Sequence, residues 1–184
     1  NFNKNKIMRK IYFLLAILYA LNINSQDNNA LFEIEFGMTK SQIKKVVKSD
    51  KDKYNSINLG GYLWRYYIQN NTYDKDGGLK LIKLTPRGGG MYGLNETSAR
   101  QVFKALVRLL VKQGYTNEDI NINNDNPLEF IKGEVYIMSN KEKDRNIYIG
   151  LPPAATAPAN IYVNCVIGKY VSPKDDVSEE ESPF

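Results

Sequence analysis

Three stretches of the chain carry residue types at spacings that could do chemistry. Gly88-Gly89-Gly90-Met91-Tyr92-Gly93 fits G-x-G-x-x-G, with a strand expected before it (residues 79–84) and a helix after it from about Glu96. In that order a dinucleotide fold cradles a pyrophosphate on backbone N–H groups at a helix N-terminus. Such a crossover also needs a parallel strand soon after the helix, with an acid for the ribose. Here the preceding strand belongs to a hairpin, Pro86 stands before the glycines, and the stretch after Gly114 is polar and Asn-rich. No Gly-Lys-Ser/Thr follows, so the loop is not a P-loop. It reads as a flexible hairpin-to-helix connection, and no nucleotide or other cofactor is expected.

The second stretch, Asp119-x-Asn121-x-Asn123-Asn124, begins like a calcium loop. Its twelfth position is Phe130, with Glu129 one residue early, so the bidentate ligand is missing. Asp74-x-Asp76-Gly77 fails in the same way, with Thr72 first and Lys83 twelfth. Both read as Asn/Asp-rich turns, and no metal site is expected. The third stretch holds Glu33 and Glu35, which on a strand would point to one side about 7 Å apart. Paired carboxylates at such separations hydrolyse glycosides, but glutamates alternating with core residues are ordinary surface. The chain has no histidine, which removes the usual general base and any Ser-His or Cys-His pairing. Its single cysteine, Cys165, shares a strand face with Ile161, Val163 and Ile167 and reads as a small core residue.

The tyrosines are the remaining candidates. If Ile147, Ile149, Ile161, Val163 and Cys165 face the core, then Tyr148 and Tyr162 face away from it by period-two alternation. In Val135-Tyr136-Ile137, Tyr136 alternates outward too. Tyr136, Tyr148 and Tyr162 are therefore the candidate interaction surface, for a protein or a glycan. The alternative role is cross-strand aromatic pairing.

The elements that position these residues follow from pattern. Residues 30–36 alternate Phe32, Ile34 and Phe36 with Glu33 and Glu35, a short half-buried strand or extended lead-in that Gly37 breaks. Thr39 with Gln42 makes a capping box behind Met38, and Ile43, Val46 and Val47 share one face of a helix ending near Asp50. Residues 54–61 read as loop. Strands over 62–69 and 79–84 form an antiparallel hairpin, the first with Tyr62, Trp64 and Tyr66 on one face and Tyr67 on the other. Asn95 caps a helix with a broad apolar face of Val102, Phe103, Leu106, Val107, Leu110 and Val111, and Gly114 stops it. Strands over 128–139, 146–151 and 160–169 close the series. The expected fold is α+β: an antiparallel sheet with two helices packed on one face, in the order helix, hairpin, helix, meander. Residues 26–171 are expected to form a single domain. Its halves, each a helix followed by strands, are compatible with a degenerate duplication.

The N-terminal stretch reads as an address. From Met8 the chain runs MRKIYFLLAILYALNINSQ: two basic residues, an eleven-residue apolar run and a polar end at a small residue. That is a signal-peptide pattern over residues 1–25, cut after Ser25, with a cut after Ala20 or a retained anchor as alternatives. Eleven residues make a helix of about 16 Å, short of a bilayer core of about 30 Å, so no membrane span is expected after processing. Of 25 basic and 20 acidic residues in the chain, four basic ones lie before residue 26, leaving 21 against 20. The basic balance therefore does not argue for nucleic acid. KDDVSEEESPF, residues 174–184, carries five acids and one lysine, so residues 172–184 read as a solvated, disordered acidic tail.

Phe36-Gly37-Met38-Thr39-Lys40-Ser41-Gln42-Ile43, followed by Trp64-Arg65-Tyr66, resembles the Gly-Met-Thr/Ser helix start and the Trp-x-Tyr-like strand of SmpA/OmlA (BamE-like) and β-lactamase-inhibitor-like exported domains. The resemblance covers residues 31–85. This chain lacks their Gly-x-Pro after the first helix and the lipobox cysteine of many envelope lipoproteins. What the resemblance implies is an exported interaction module, not an enzyme. The expected function is thus a non-catalytic binding protein of the bacterial envelope, periplasmic or secreted, with an envelope or extracellular protein or glycan as partner. The alternatives are an exported glycan hydrolase working through carboxylates and a protein inhibitor of an exported enzyme.

Overall fold

The computed structural model describes residues 28–89, 92–117, 122 and 128–171. The signal-peptide reading (1–25), Gly90, the acidic residues 172–184 and the calcium-like positions Asp119, Asn121, Asn123 and Asn124 lie outside the described residues.

Local chemistry starts the elements where the sequence places them. Helix α1 (Lys40–Ser49) is opened by Thr39, whose hydroxyl accepts from the Gln42 N–H while the Gln42 side chain accepts from the Thr39 N–H. This reciprocal box satisfies two donors that the first turn otherwise leaves without partners. Ile43 is fully buried beneath the helix, and its lysines point to solvent. Residues 54–61 are not the plain loop expected, since they hold the end of a helix and the strand Ile57–Leu59. The Asp50 carboxylate accepts from the Lys53 N–H and caps a second short helix, α2 (Lys51–Asn55), which seats Tyr54 in the core. Helix α3 (Glu96–Lys112) is capped by Asn95 accepting from Ser98 N–H at 2.9 Å and stops at Gly114, with φ +83°. Its inward face is Ala99, Val102, Phe103, Leu106, Val107 and Leu110.

Residues 29–35 are a tight hairpin, not one strand: β1 (Asn29–Leu31) pairs antiparallel with β2 (Ile34–Glu35), and Phe32 turns the corner at φ +52°. Phe32 is thereby exposed, against the expected alternation. Arg145 anchors this hairpin: its guanidinium donates to the Asn29 carbonyl and lies 4.9 Å from the Phe36 ring centre.

The main sheet has seven strands. They are β3 (Ile57–Leu59), β4 (Tyr62–Tyr66), β5 (Thr72–Tyr73), β6 (Leu79–Pro86), β7 (Val135–Asn140), β8 (Arg145–Gly150) and β11 (Asn164–Lys169). The order is β3-β4-β6-β11-β8-β7, every pairing is antiparallel, and β5 continues along β6 beyond β4. A separate hairpin, β9 (Pro153–Ala154) with β10 (Ala157–Ile161), lies between β8 and β11 in the chain. The protein is therefore of mixed α and β class, with antiparallel sheets and, among the described residues, three α-helices. Strand residues outnumber helical ones.

Register assigns the two faces. Cys165 sits opposite Leu84 and Ile149, Ile167 opposite Ile82 and Ile147, and Met138 opposite Ile147. With Trp64 and Tyr66 these make the face on which α3 packs, and Trp64, Ile82, Leu84, Met138 and Ile149 are fully buried. On the opposite face the register gives two cross-strand rows: Arg65–Thr85 leading toward Asn164, and Lys83–Val166–Tyr148–Ile137.

Candidate binding cleft on the outer sheet face

The outer face carries a cleft of about 480 Å³. Its floor is laid by strand periodicity. Arg65 and Tyr67 at the end of β4, Lys83 and Thr85 on β6 and Asn164 on β11 all fall on the face away from α3. Arg87 continues the same alternation just past β6, where its N–H donates to the Leu63 carbonyl at 2.7 Å. One wall is the glycine-rich connection, through Gly88, Gly89, Gly93 and Leu94. Pro152, Ile161 and Tyr162 complete the lining.

The glycine wall is held at both ends. Leu94 and Ile161 exchange both backbone hydrogen bonds, at 2.9 and 2.8 Å, and Asn160 Nδ2 donates to the Tyr92 carbonyl. Gly93 is required there: its φ is +68°, and a Cβ would stand 3.0 Å from both the Ile161 carbonyl oxygen and the Ala154 side chain. The connection is thus pinned at Arg87 and again at residues 92–94. β6, which leads into it, is antiparallel to all three strands it pairs with, so the parallel strand-loop-helix crossover of a dinucleotide site is not formed.

Three cations, Arg65, Lys83 and Arg87, line the cleft, and no Asp or Glu does among the described residues. Arg65 Nη1 donates to the Tyr67 hydroxyl and Arg87 Nη1 to the Ser56 hydroxyl, both weak neutral partners that leave most guanidinium donors for a ligand. Burial pushes the Lys83 ammonium below the ordinary lysine range. Tyr67, Thr85 and Tyr162 add hydroxyls, and Asn70 and Asn164 add amides. The lining is therefore rich in donors. A fork of guanidinium N–H groups suits carboxylate or phosphate oxygens.

The three tyrosines singled out in the sequence do not end up together. Tyr162 lines the cleft, half-buried, its N–H donating to the Pro152 carbonyl. Tyr148 is also half-buried on the outer face, opposite Val166 and Ile137, and leans over the bare backbone of Gly168 beside Leu81. Tyr136 is on the other side. It is buried opposite Ile149, and its ring centre is 5.3 Å from that of Phe103 on α3. The strand Val135-Tyr136-Ile137-Met138 is apolar on both faces, so alternation alone could not orient it. Tyr136 can occupy the core rim because its hydroxyl accepts from the Ile131 N–H while its ring packs inward.

The other candidates resolve locally. Glu33 lies in the β1–β2 turn, where its carboxylate accepts from Lys53 Nζ and from the Tyr54 hydroxyl at 2.9 Å. These two hydrogen bonds hold its pKa below the ordinary value, the opposite of what a general acid needs. Asp74 spends one carboxylate oxygen on the N–H groups of Asp76 and Gly78, closing the turn before β6. No cluster of His, Cys, Asp or Glu able to hold a metal ion occurs among the described residues. Cys165 is buried, and burial pushes its thiol up to about 12. No helix among the described residues is long and apolar enough to cross a membrane.

The pattern Arg65-x-Tyr67 on one hairpin arm and Lys83-x-Thr85-x-Arg87 on the other was the readable signal for the cleft. Nothing in that pattern predicts a wall overhead. Comparison with known proteins supplies no family for this geometry: no protein-family model, no curated protein and no solved structure matches the chain.

Proposed function

We propose that this protein is a non-catalytic binding module, exported to the bacterial envelope or beyond, that recognises an anionic group of a partner in the cleft on its outer sheet face. The observation that carries the proposal is a cleft with three cations and, among the described residues, no carboxylate, walled by a pinned glycine connection and Tyr162. The hydrophobic run after Met8 supports export, and the likeness of residues 31–85 to SmpA/OmlA-type domains supports an interaction role. The partner is an envelope or extracellular protein or glycan bearing carboxylates or phosphates. Tyr162 supplies an amphipathic contact beside the charges.

The test is retention of exported-fraction components on immobilised protein, comparing the unaltered chain with Arg65→Gln and with Tyr162→Ala. A component held by the unaltered chain and released from both variants, at unchanged melting temperature, supports the reading. Equal retention by all three contradicts it. The same preparations assayed on cell-wall glycans should show no turnover that Glu33→Gln removes; turnover lost in that variant would replace the binding reading with a hydrolase.

A further inference from the structure

The face that carries the cleft also receives the end of the described chain. On β8 the outer row next to Tyr148 is Gly168–Asn146–Ser139, and Asn146 and Ser139 are buried. Asn146 Nδ2 donates to the carbonyl of Val171 at 2.9 Å, so the chain leaves β11 by turning back across the outer face. Asn146 Oδ1 and Ser139 Oγ have no partner among the described residues. Beyond Val171 come Lys174, Asp175, Asp176, Glu179, Glu180 and Glu181.

We propose that the acidic stretch 175–181 of this same chain lies along the outer face and occupies the cationic cleft, competing with the external partner. The inference rests on the anion-binding reading above and names the first anion the cleft meets. Charge is complementary: five carboxylates against Arg65, Lys83 and Arg87, with no acid in the lining among the described residues. Reach is sufficient. From Asn146 to Lys83 is two strand spacings across and two residues along, about 12 Å. Asp175 stands four residues past Val171, a span of up to about 14 Å. Arg65, one strand farther and two more residues along, is about 20 Å away, within the span of roughly 26–35 Å open to Glu179–Glu181. A tether of this length holds the carboxylates near the cleft at millimolar effective concentration, so even weak individual contacts compete with a dilute partner. The contacts are exposed ion pairs and weaken in salt.

The experiment compares the full chain with a full-length variant carrying D175N, D176N, E179Q, E180Q and E181Q. In the unaltered chain the segment should shift the amide resonances of Thr85, Gly88, Gly89 and Asn164 relative to the variant. Raising NaCl from 50 to 500 mM in the unaltered chain should move the same resonances the same way, a check that needs no substitution. A synthetic KDDVSEEESPF peptide should bind the variant at least tenfold tighter than the unaltered chain, and R65Q should weaken that binding. Equal peptide affinity for both chains, sensitive to R65Q, overturns the segment as occupant and leaves the anion-binding reading standing. No binding of the peptide to either chain overturns both. A dimer that becomes monomeric on neutralising the acids overturns the intramolecular arrangement, because the segment then reaches a second copy.

Discussion

The two faces of the seven-stranded sheet are built from the same strands by the same alternation, yet they answer to different physics. The inner face pairs Leu84, Cys165, Ile149 and Tyr136 in register beneath α3. The outer face sets Arg65, Lys83, Thr85 and Asn164 beside Val166 and Tyr148. Inside, the stabilising term is apolar surface removed from water, roughly 25 cal/mol per Å². Outside, cations are kept near each other with no acid in the lining among the described residues, an arrangement that does little for stability and suits recognition. Substitutions on the two faces should therefore separate stability from binding.

The largest expected effect is on the inner face. Phe103 is fully buried between the rings of Phe130 and Tyr136, at 5.6 and 5.3 Å. Phe103→Ala should cost about 3–5 kcal/mol by chemical denaturation. Tyr136→Ala should fall near the low end of that range, whereas Tyr148→Ala on the outer face should cost about 1 kcal/mol or less. Equal losses for the two tyrosines would break the comparison.

Next comes the cleft wall. Gly93→Ala puts a Cβ into a 3.0 Å contact with the Ile161 carbonyl at φ +68°, a strain of about 1–3 kcal/mol. Its melting temperature should fall, and partner affinity should fall with it because the wall moves. A neutral result would mean that the glycine connection is free to shift.

Alkaline pH sharpens the inner-face claim. Burial raises the Cys165 thiol from 9.0 to about 12 and the Tyr66 phenol from 10.0 to about 12. The folded state favours the protonated form of each, so their contribution is fully present below the unfolded values. Stability should stay level to about pH 9 and then fall toward pH 12, as the unfolded chain ionises and the folded chain does not. Denaturation midpoints across pH 7–11 check this, and Cys165→Val should remove the earliest part of the fall. Up to pH 9 the thiol should react with maleimides only as fast as the protein opens.

The smallest effect on stability belongs to Tyr162. Tyr162→Ala should change it by about 1 kcal/mol or less while lowering partner affinity by about 2 kcal/mol.

What was legible in the sequence was what short-range chemistry decides. Thr39 with Gln42, Asn95 and Gly114 cap the helices where their side chains or missing Cβ satisfy the ends. Trp64 and Tyr66 face inward as their spacing requires, and Cys165 is the core residue it resembled. Three features were not legible. Asp50 both ends one helix and caps the next, and a single residue's propensity does not say which. Val135 to Met138 is apolar at every position, so only the α3 ring of Phe103 selects Tyr136 for the core. The cleft joins residues from β4, β6 and β11 with two segments bridged at Leu94 and Ile161, 67 positions apart, and that juxtaposition exists only once the sheet is assembled.

The most direct test of the outer face as a recognition surface is an NMR titration of the acid-neutralised full chain with hexaglutamate. The predicted result is saturable perturbation of Thr85, Gly88, Gly89, Tyr162 and Asn164, lost in Arg65→Gln and weakened by salt. Perturbations confined to the exposed lysines of α1, or spread without saturation over the whole surface, would contradict it.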